Sequence, residues 1–348
     1  MVDMSDVIQH IRSAAVRRTP CVISTVNLNY LISSRRDSQF RHSVINSDLS
    51  FADGMTLVWI ARILGIPIPE RVAGSDMFVQ LRAAPAPALS VYFFGGKEGV
   101  AETACRMLNT EPSGLACAGF ESPGFGSVKE MSHDESIEKI NASDADFLIV
   151  SLGAQKAQAW IQHNRARISV PVISNLGATI NFLVGSVKRA PIWIRRSGLE
   201  WLWRIKEEPG LWHRYASDGL VFLKLLMTRV IPYAWLIYRY KPAVQELDAA
   251  VIELFDDGCE YTIHLSGAWE QDNLMPLREC FSNSAIAARD VRIDLEKVTY
   301  IDSAFIGLLL LLYNDKMLTK KGLYIIKLNK NIRQIFHYSC AEFLLDIP

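Results

Sequence analysis

The sequence lacks several common signatures, and each absence narrows what it can be. It has no C-x-x-C pair; its six cysteines (Cys21, Cys105, Cys117, Cys259, Cys280, Cys340) are scattered. That predicts neither a disulfide framework nor a zinc site, and so free thiols in a reducing, cytoplasmic compartment. The seven histidines show no metal-ligand spacing. No G-x-G-x-x-G and no P-loop occurs. The N-terminal MVDMSDVIQHIRSAAVRR has an amphipathic pattern without the apolar centre of a signal peptide. The longest apolar stretch, Gly219 to Tyr240, is interrupted by Lys224, Arg229 and Pro232. Its uncharged runs are too short to span a bilayer, so no ordinary transmembrane helix is expected. Net charge is also missing: 37 basic and 37 acidic side chains cancel.

What is present is ordinary globular material, half hydrophobic and about a fifth charged, in 348 residues, enough for about two domains. The charges are segregated. Residues 1–185 hold 16 basic and 17 acidic side chains, 186–244 hold 11 and 4, and 245–348 hold 10 and 16. The expected organisation is a core over 1–185, a basic appendage over 186–244, a helical linker over 245–257 and a second α/β domain over 258–348.

Between residues 19 and 176, short β-rich runs (21–26, 89–94, 115–120, 146–152, 170–176) alternate with helical patterns, and most end in glycine: Gly95-Gly96, Gly124, Gly153, Gly177. Apolar strands separated by helices predict an α/β, mostly parallel sheet covered on both faces. Ligands of such sheets bind at the carboxyl ends of the strands, where those glycines fall. Residues 186–244 hold five of the eight tryptophans (Trp193, Trp201, Trp203, Trp212, Trp235) among eleven basic residues. Indoles mixed with cations suit an anionic membrane surface, each cation near it contributing about 1 kcal/mol; the alternative is helices that turn their tryptophans inward. Nucleic acid is not an expected partner. After residue 257 the pattern reads strand (261–267), helix (272–284), strand (291–295), helix (303–319), strand (323–328), helix.

Chemistry is densest in three clusters: Thr25-Val26-Asn27, Asp53-Gly54 and Glu70-Arg71-Val72-Ala73-Gly74-Ser75-Asp76. An acid before a glycine can be a general base, a helix cap or a turn residue, and Asp53 taken alone favours the cap. Asp144-Ala145-Asp146 resembles the metal-binding D-x-D of some sugar transferases, yet it precedes the strand at 147–152 and so lies at the wrong edge of the sheet, as a surface turn. No metal and no cofactor are expected.

The blocks TVN (25–27), ADGMTLVWIARILGIPIPERVAGSDMF (52–78), VYFFGGKEGVAE (91–102), LGATINFLVGSVKRAPIWI (176–194) and GLEWLWRIKEEP (198–209) resemble the WecG/TagA/CpsF family of bacterial glycosyltransferases. The resemblance implies a Rossmann-like core and metal-independent, inverting transfer of a sugar from a UDP-sugar to a polyprenyl-pyrophosphate-linked acceptor. This would take place on the cytoplasmic face of the cell membrane, in surface polysaccharide synthesis. It implies that Asp53 is the general base and that Thr25, Asn27, Arg71, Gly74, Asp76, Gly95, Gly96 and Gly177 line the substrate pocket. Arg189, Arg204 and Arg214 would neutralise pyrophosphate. The chain departs from the family pattern in places: Ala157 and Gln158 stand where it has Gln and Glu, Asn181 where it has Asp, and near EEPGLWHRY one arginine of the usual pattern is missing, which leaves Arg214 alone. A degenerate transferase fold serving as a scaffold is the alternative reading. VRIDLEKVTYIDSAFIGLLLLLY (291–313) resembles STAS domains, which implies a protein partner and a possible phosphorylation site at Ser303; a plain helix cap by Asp302 and Ser303 stays open.

Overall fold

The computed structural model describes residues 2–84, 87–110, 113–283, 286 and 288–345. The chain forms two compact units, Met1–Ala61 with Pro67–Val221, and Arg62–Ile66 with Phe222–Pro348.

The first unit is built on six strands, β1 (Cys21–Val26), β2 (Leu49–Ala52), β3 (Leu89–Gly95), β4 (Leu115–Glu121), β5 (Phe147–Ser151) and β6 (Val172–Asn175), in the order β2-β1-β6-β5-β3-β4. Every neighbouring pair is parallel. Both faces are covered, which the period of two makes visible. Ile23, Val91, Phe93, Phe147 and Ile149 pack on one side with Val7, Ile11, Met77 and Phe78. Val22, Tyr92, Phe94, Leu148 and Val150 pack on the other with Ile137, Ile140, Trp160 and Ile161. The five runs expected as strands, 21–26, 89–94, 115–120, 146–152 and 170–176, each hold one, β1, β3, β4, β5 and β6. β2 is an addition: a four-residue edge strand of buried and exposed side chains in alternation, too short to stand out in the sequence.

The second unit holds a four-stranded mixed sheet, β7 (Val251–Asp256), β8 (Glu260–Trp269), β9 (Asp290–Ile301) and β10 (Leu323–Leu328), ordered β10-β9-β8-β7 with β7 alone antiparallel. The linker expected to be helical over 245–257 is corrected: a short helix, Val244–Asp248, gives way to β7, whose Val, Ile and Phe suit a pleated edge. The helix expected over 272–284 runs Met275–Phe281, and Ser284 lies outside the described residues. Helix Ser303–Thr319 has its expected bounds and sinks Phe305, Ile306, Leu309 and Leu312 into the core of this unit.

Two further expectations are corrected. Cys105 and Cys117 form a disulfide, because helix Val100–Thr110 folds back along β4 and brings their Cα atoms to 5.1 Å. A twelve-residue spacing carries no such signal, and the bond removes the cysteine pattern as an argument for a reducing compartment. The apolar stretch is also not broken at Pro232. A helix of 31 residues, Pro209–Arg239, runs through it and is long and apolar enough to cross a membrane by length and composition. A π-helical turn at Leu226–Val230, just before the proline, accommodates the hydrogen bond that the ring cannot donate.

Candidate active site

The carboxyl ends of β1, β2, β3, β5 and β6 open on a cleft of about 490 Å³. Register places its first chemical group. β1 pairs with β2 up to Val26↔Ala52, and the Asp53 N–H continues the ladder to the Val26 carbonyl at 2.8 Å. Asn27 and Asp53 therefore leave the sheet side by side, and both line the cleft with Thr25. Asn27 caps helix Leu28–Arg36, its Oδ1 accepting from the Asn29 and Tyr30 N–H groups at 3.0 and 3.2 Å. The Thr25 hydroxyl, buried, donates to the Asn175 carbonyl at 3.5 Å and so ties β1 to β6.

Asp53 is the electrostatic centre. Burial pushes its carboxyl up from the ordinary 3.8 to about 7. Arg71 and the Gly74 N–H pull it down, and Glu200 and Asp76 push it up further. A carboxyl poised near neutrality can accept a proton there and return it, as a general base must. Gly74 is the residue that lets helix Gly74–Ala83 approach: a Cβ there would stand 2.6 Å from Leu176 Cδ2 and 3.2 Å from Thr25 Cγ2. On the far side the buried Tyr30 hydroxyl accepts from Asn175 Nδ2 at 2.9 Å and Gln158 Nε2 at 3.4 Å.

The structure divides the expected pocket residues into two groups. Thr25, Asn27, Asp53, Gly74, Gly96, Gly177, Arg204 and Arg214 line the cleft. Arg71, Asp76, Arg189 and Gly95 are not part of that lining. Asp76 collects three guanidinium groups, from Arg71 at 3.4 Å, Arg189 at 2.5 Å and Arg195 at 2.7 Å. Arg71 also donates to Glu200 at 3.0 Å. This network ties the helices after residue 190 to the loop around residue 71. Gly95 is a packing glycine with φ +96, and a Cβ there would meet the Ser151 carbonyl oxygen at 2.8 Å.

The lining residues that were not anticipated include Tyr30, Lys97, Lys156, Glu200 and Glu208. Lys97 follows the Gly95-Gly96 turn, and Lys156 lies in the first turn of helix Ala154–Asn164, donating to the Gly126 carbonyl at 2.9 Å. The two lysines with Arg204 and Arg214 put four cations around one opening, beside a helix N-terminus, which suits a diphosphate. The turn glycines of β3 and β5 were the usable signal for the lysines. Glu200 carried none, because its partner Arg71 is 129 positions away.

Of the substituted positions Ala157, Gln158 and Asn181, the first two fall outside the cleft. Ala157 and Gln158 are fully buried on the inner side of their helix, where Gln158 Nε2 donates to Ser24 Oγ at 2.7 Å. Asn181 lines the cleft. Asp144 and Asp146 precede β5 and are tied up at that edge, Asp144 by Arg18 at 2.9 Å and Asp146 by the Ser90 N–H and hydroxyl. In the second unit Asp302 is the cap of helix Ser303–Thr319, accepting from the Phe305 and Gln271 N–H groups, both at 2.9 Å. Ser303 occupies the first helical position.

Comparison with known proteins agrees with these two architectures. Residues 1–234 match the model of the glycosyl transferase WecG/TagA/CpsF family, and residues 252–345 match a Mlab, STAS domain model. An N-acetylglucosaminyldiphosphoundecaprenol N-acetyl-beta-D-mannosaminyltransferase of Bacillus spizizenii is 30% identical over 197 residues, 56% of this chain and 74% of the relative. A protein of the same description from Bacillus subtilis is 27% identical over 197 residues, 56% and 75% of the two chains. A solved anti-sigma factor antagonist from Mycobacterium paratuberculosis aligns with 28% of this chain and 85% of its own at 17% identity, with a TM-score of 0.26. The chain belongs to the WecG/TagA/CpsF family of glycosyltransferases, and it carries a STAS domain behind the transferase.

Proposed function

We propose that this protein transfers a sugar from a UDP-sugar to a polyprenyl-pyrophosphate-linked sugar on the cytoplasmic face of the membrane, in the assembly of a surface polysaccharide. The observation that carries this reading is the Asp53 carboxyl lining one cleft with Lys97, Lys156, Arg204 and Arg214, where burial raises its pKa toward neutrality. The acceptor hydroxyl gives its proton to Asp53 Oδ as its oxygen attacks the anomeric carbon. The bond from that carbon to the donor diphosphate breaks in the same displacement, which inverts the anomeric centre, and UDP leaves with the electron pair. Lys97, Lys156, Arg204 and Arg214 stabilise the charge that develops on the departing diphosphate without a metal ion. The two Bacillus relatives, whose names specify a diphosphoundecaprenol-linked N-acetylglucosamine as acceptor, support the acceptor class.

Membrane contact is the second part of the proposal. Trp193, Trp212 and Trp235 are 69%, 51% and 60% exposed, which fits the membrane-surface reading of the appendage better than inward packing. Leu220, Leu223, Met227, Ile231, Trp235 and Tyr238 are also exposed, at spacings of three and four along the helix Pro209–Arg239. That spacing makes one apolar face, suited to lying in the headgroup zone. Binding to vesicles should require anionic lipid and weaken with salt; equal binding to neutral vesicles would remove this part. The STAS domain would recruit or regulate the transferase through a protein partner, with Ser303 as a site of control.

The scaffold alternative draws its support from the altered positions, and the burial of Ala157 and Gln158 away from the cleft weakens it. UDP release by the wild type and Asp53→Asn, with several UDP-sugars and polyprenyl-pyrophosphate-linked acceptors, decides between them. Release from one donor, at least ~10²-fold lower in the variant, supports the enzyme. No release from any donor, with acceptors that a related transferase uses, would establish the scaffold instead.

A further inference from the structure

Four cations draw an anionic substrate into the cleft, so a carboxylate in its wall works against binding unless it has another task. Besides Asp53, two carboxylates are there, Glu200 and Glu208. Glu208 is taken up by Arg204 at 3.3 Å, one helical turn away. Glu200, the first residue of helix Glu200–Glu207, instead reaches across to Arg71, whose other amino group goes to Asp76. The Arg71 guanidinium is thus gripped from two sides, by helix Gly74–Ala83 behind the wall and by Glu200 from the cleft itself. Its side chain is 13% exposed, and the pairs are correspondingly shielded from solvent.

We propose that Glu200 is a positioning residue for the transfer, fixing Arg71 against the site of proton removal and standing as a second negative charge beside Asp53. The proposal rests on the reading of Asp53 as the base. The charged and titratable groups acting on Asp53 are Arg71, Glu200 and Asp76, with Tyr30 on its far side. Arg71 favours the ionised carboxylate, whereas Glu200 and Asp76 favour the protonated acid. Asp76 already shares its charge among three arginines. Of the two carboxylates, Glu200 is therefore the one whose loss changes the balance more, and it is the one supplied by the appendage.

The test uses the full-length protein and needs no substrate. Urea unfolding of the wild type and Asp53→Asn is followed from pH 4 to 9, and the same pair is compared in a Glu200→Gln background. Asn lacks the ionisation that the fold resists, so its advantage over Asp grows with pH and levels off once Asp53 has ionised. With Gln at 200, Arg71 is opposed by Asp76 alone, and the levelling point should move down by roughly 0.5–1 pH unit. Glu200→Asp should return it part of the way. An unmoved levelling point would overturn the proposal, leaving Glu200 as a packing residue. Activity is read separately. In Glu200→Gln the acid limb of kcat/KM should move with the levelling point, whereas equal loss at every pH would again mean a purely structural part. Normal turnover by Asp53→Asn would sink the base assignment itself, an outcome distinct from either result at Glu200.

Discussion

Each unit sends a strand into an aspartate followed by a helix, Asp53 after β2 and Asp302 after β9, and the two carboxyls end in opposite roles. Asp302 is consumed by its own backbone, taking the Phe305 and Gln271 N–H groups at 2.9 Å. Asp53 takes an N–H from a different element, Gly74, and meets an arginine and two further carboxylates. Local sequence favours the cap at both sites. What separates them is surroundings: Asp53 is half-buried in the cleft lining among Gly74, Arg71 and Glu200, and burial is the largest influence on its ionisation. A carboxyl becomes chemically useful through what is folded over it.

The largest expected effect is on turnover. Asp53→Asn should lower sugar transfer at least ~10²-fold, whereas Asp302→Asn should leave it within about twofold, both measured as UDP release. A comparable loss from both would dissolve the contrast. In the wild type the rate should rise with pH and level off above about 7, since the base must be ionised to accept a proton.

Stability should show the same contrast with the opposite sign. The folded Asp53 holds its proton up to about pH 7 and the unfolded one to about 3.8, so between these values the native state binds more protons. Stability from this group is therefore lost as pH rises through that window. Asp53→Asn should make the transferase unit more stable at pH 8 than the wild type, by roughly 2–4 kcal/mol, and little different at pH 4. Urea midpoints at the two pH values check this. An equal change at both would mean that burial does not govern the carboxyl.

Gly95→Ala sharpens the distinction between glycines that pack and glycines that face the ligand. With φ +96 and the Ser151 carbonyl oxygen 2.8 Å from the methyl that alanine would add, the variant should destabilise the transferase unit by roughly 1–3 kcal/mol. Gly96, one residue on, lines the cleft and has nothing within 4 Å of such a methyl. Its alanine variant bears only the strain of a positive φ and should be the milder of the two in thermal unfolding.

The contrast between the units also marks what the sequence could reveal. Central strands such as β1, β3 and β5 and helix Ser303–Thr319 were legible because a continuous apolar run has few other uses. The strands β2 and β7 were not: β2 has only four residues, and the Val-Ile-Glu-Leu-Phe-Asp of β7 mixes acids with apolar residues in a way that also suits a helix. Thr25, Asn27 and Asp53 were legible as a group, since parallel register carries neighbouring strand ends to one place. Arg71 was visible as a residue but not in its surroundings: its partner Glu200 belongs to a helix whose own pattern, Glu-Trp-Leu-Trp-Arg, reads as an amphipathic surface. Long-range pairing leaves no local trace, and the disulfide between Cys105 and Cys117 escaped for a related reason, since its geometry depends on how a helix returns along a strand.

The smallest predicted effect tests Asp302 from its own side. A capping side chain replaced by alanine costs about 1 kcal/mol, and replaced by asparagine a few tenths, because the amide oxygen still accepts. Asp302 accepts from two N–H groups, one of them in the turn after β8, so Asp302→Ala should fall at the upper end, near ~2 kcal/mol. The loss should appear in the unfolding of the STAS unit alone, with UDP release unchanged. If Asp302→Ala proved silent in unfolding yet changed transfer, Asp302 would be more than a cap, and the two aspartates would be closer in kind than their hydrogen bonds indicate. If it behaves as a cap, Ser303→Asp becomes interpretable beside Ser303→Ala: both lose the Ser303 hydroxyl that meets Tyr233, so a change in transfer confined to the aspartate variant comes from the charge added at the first turn.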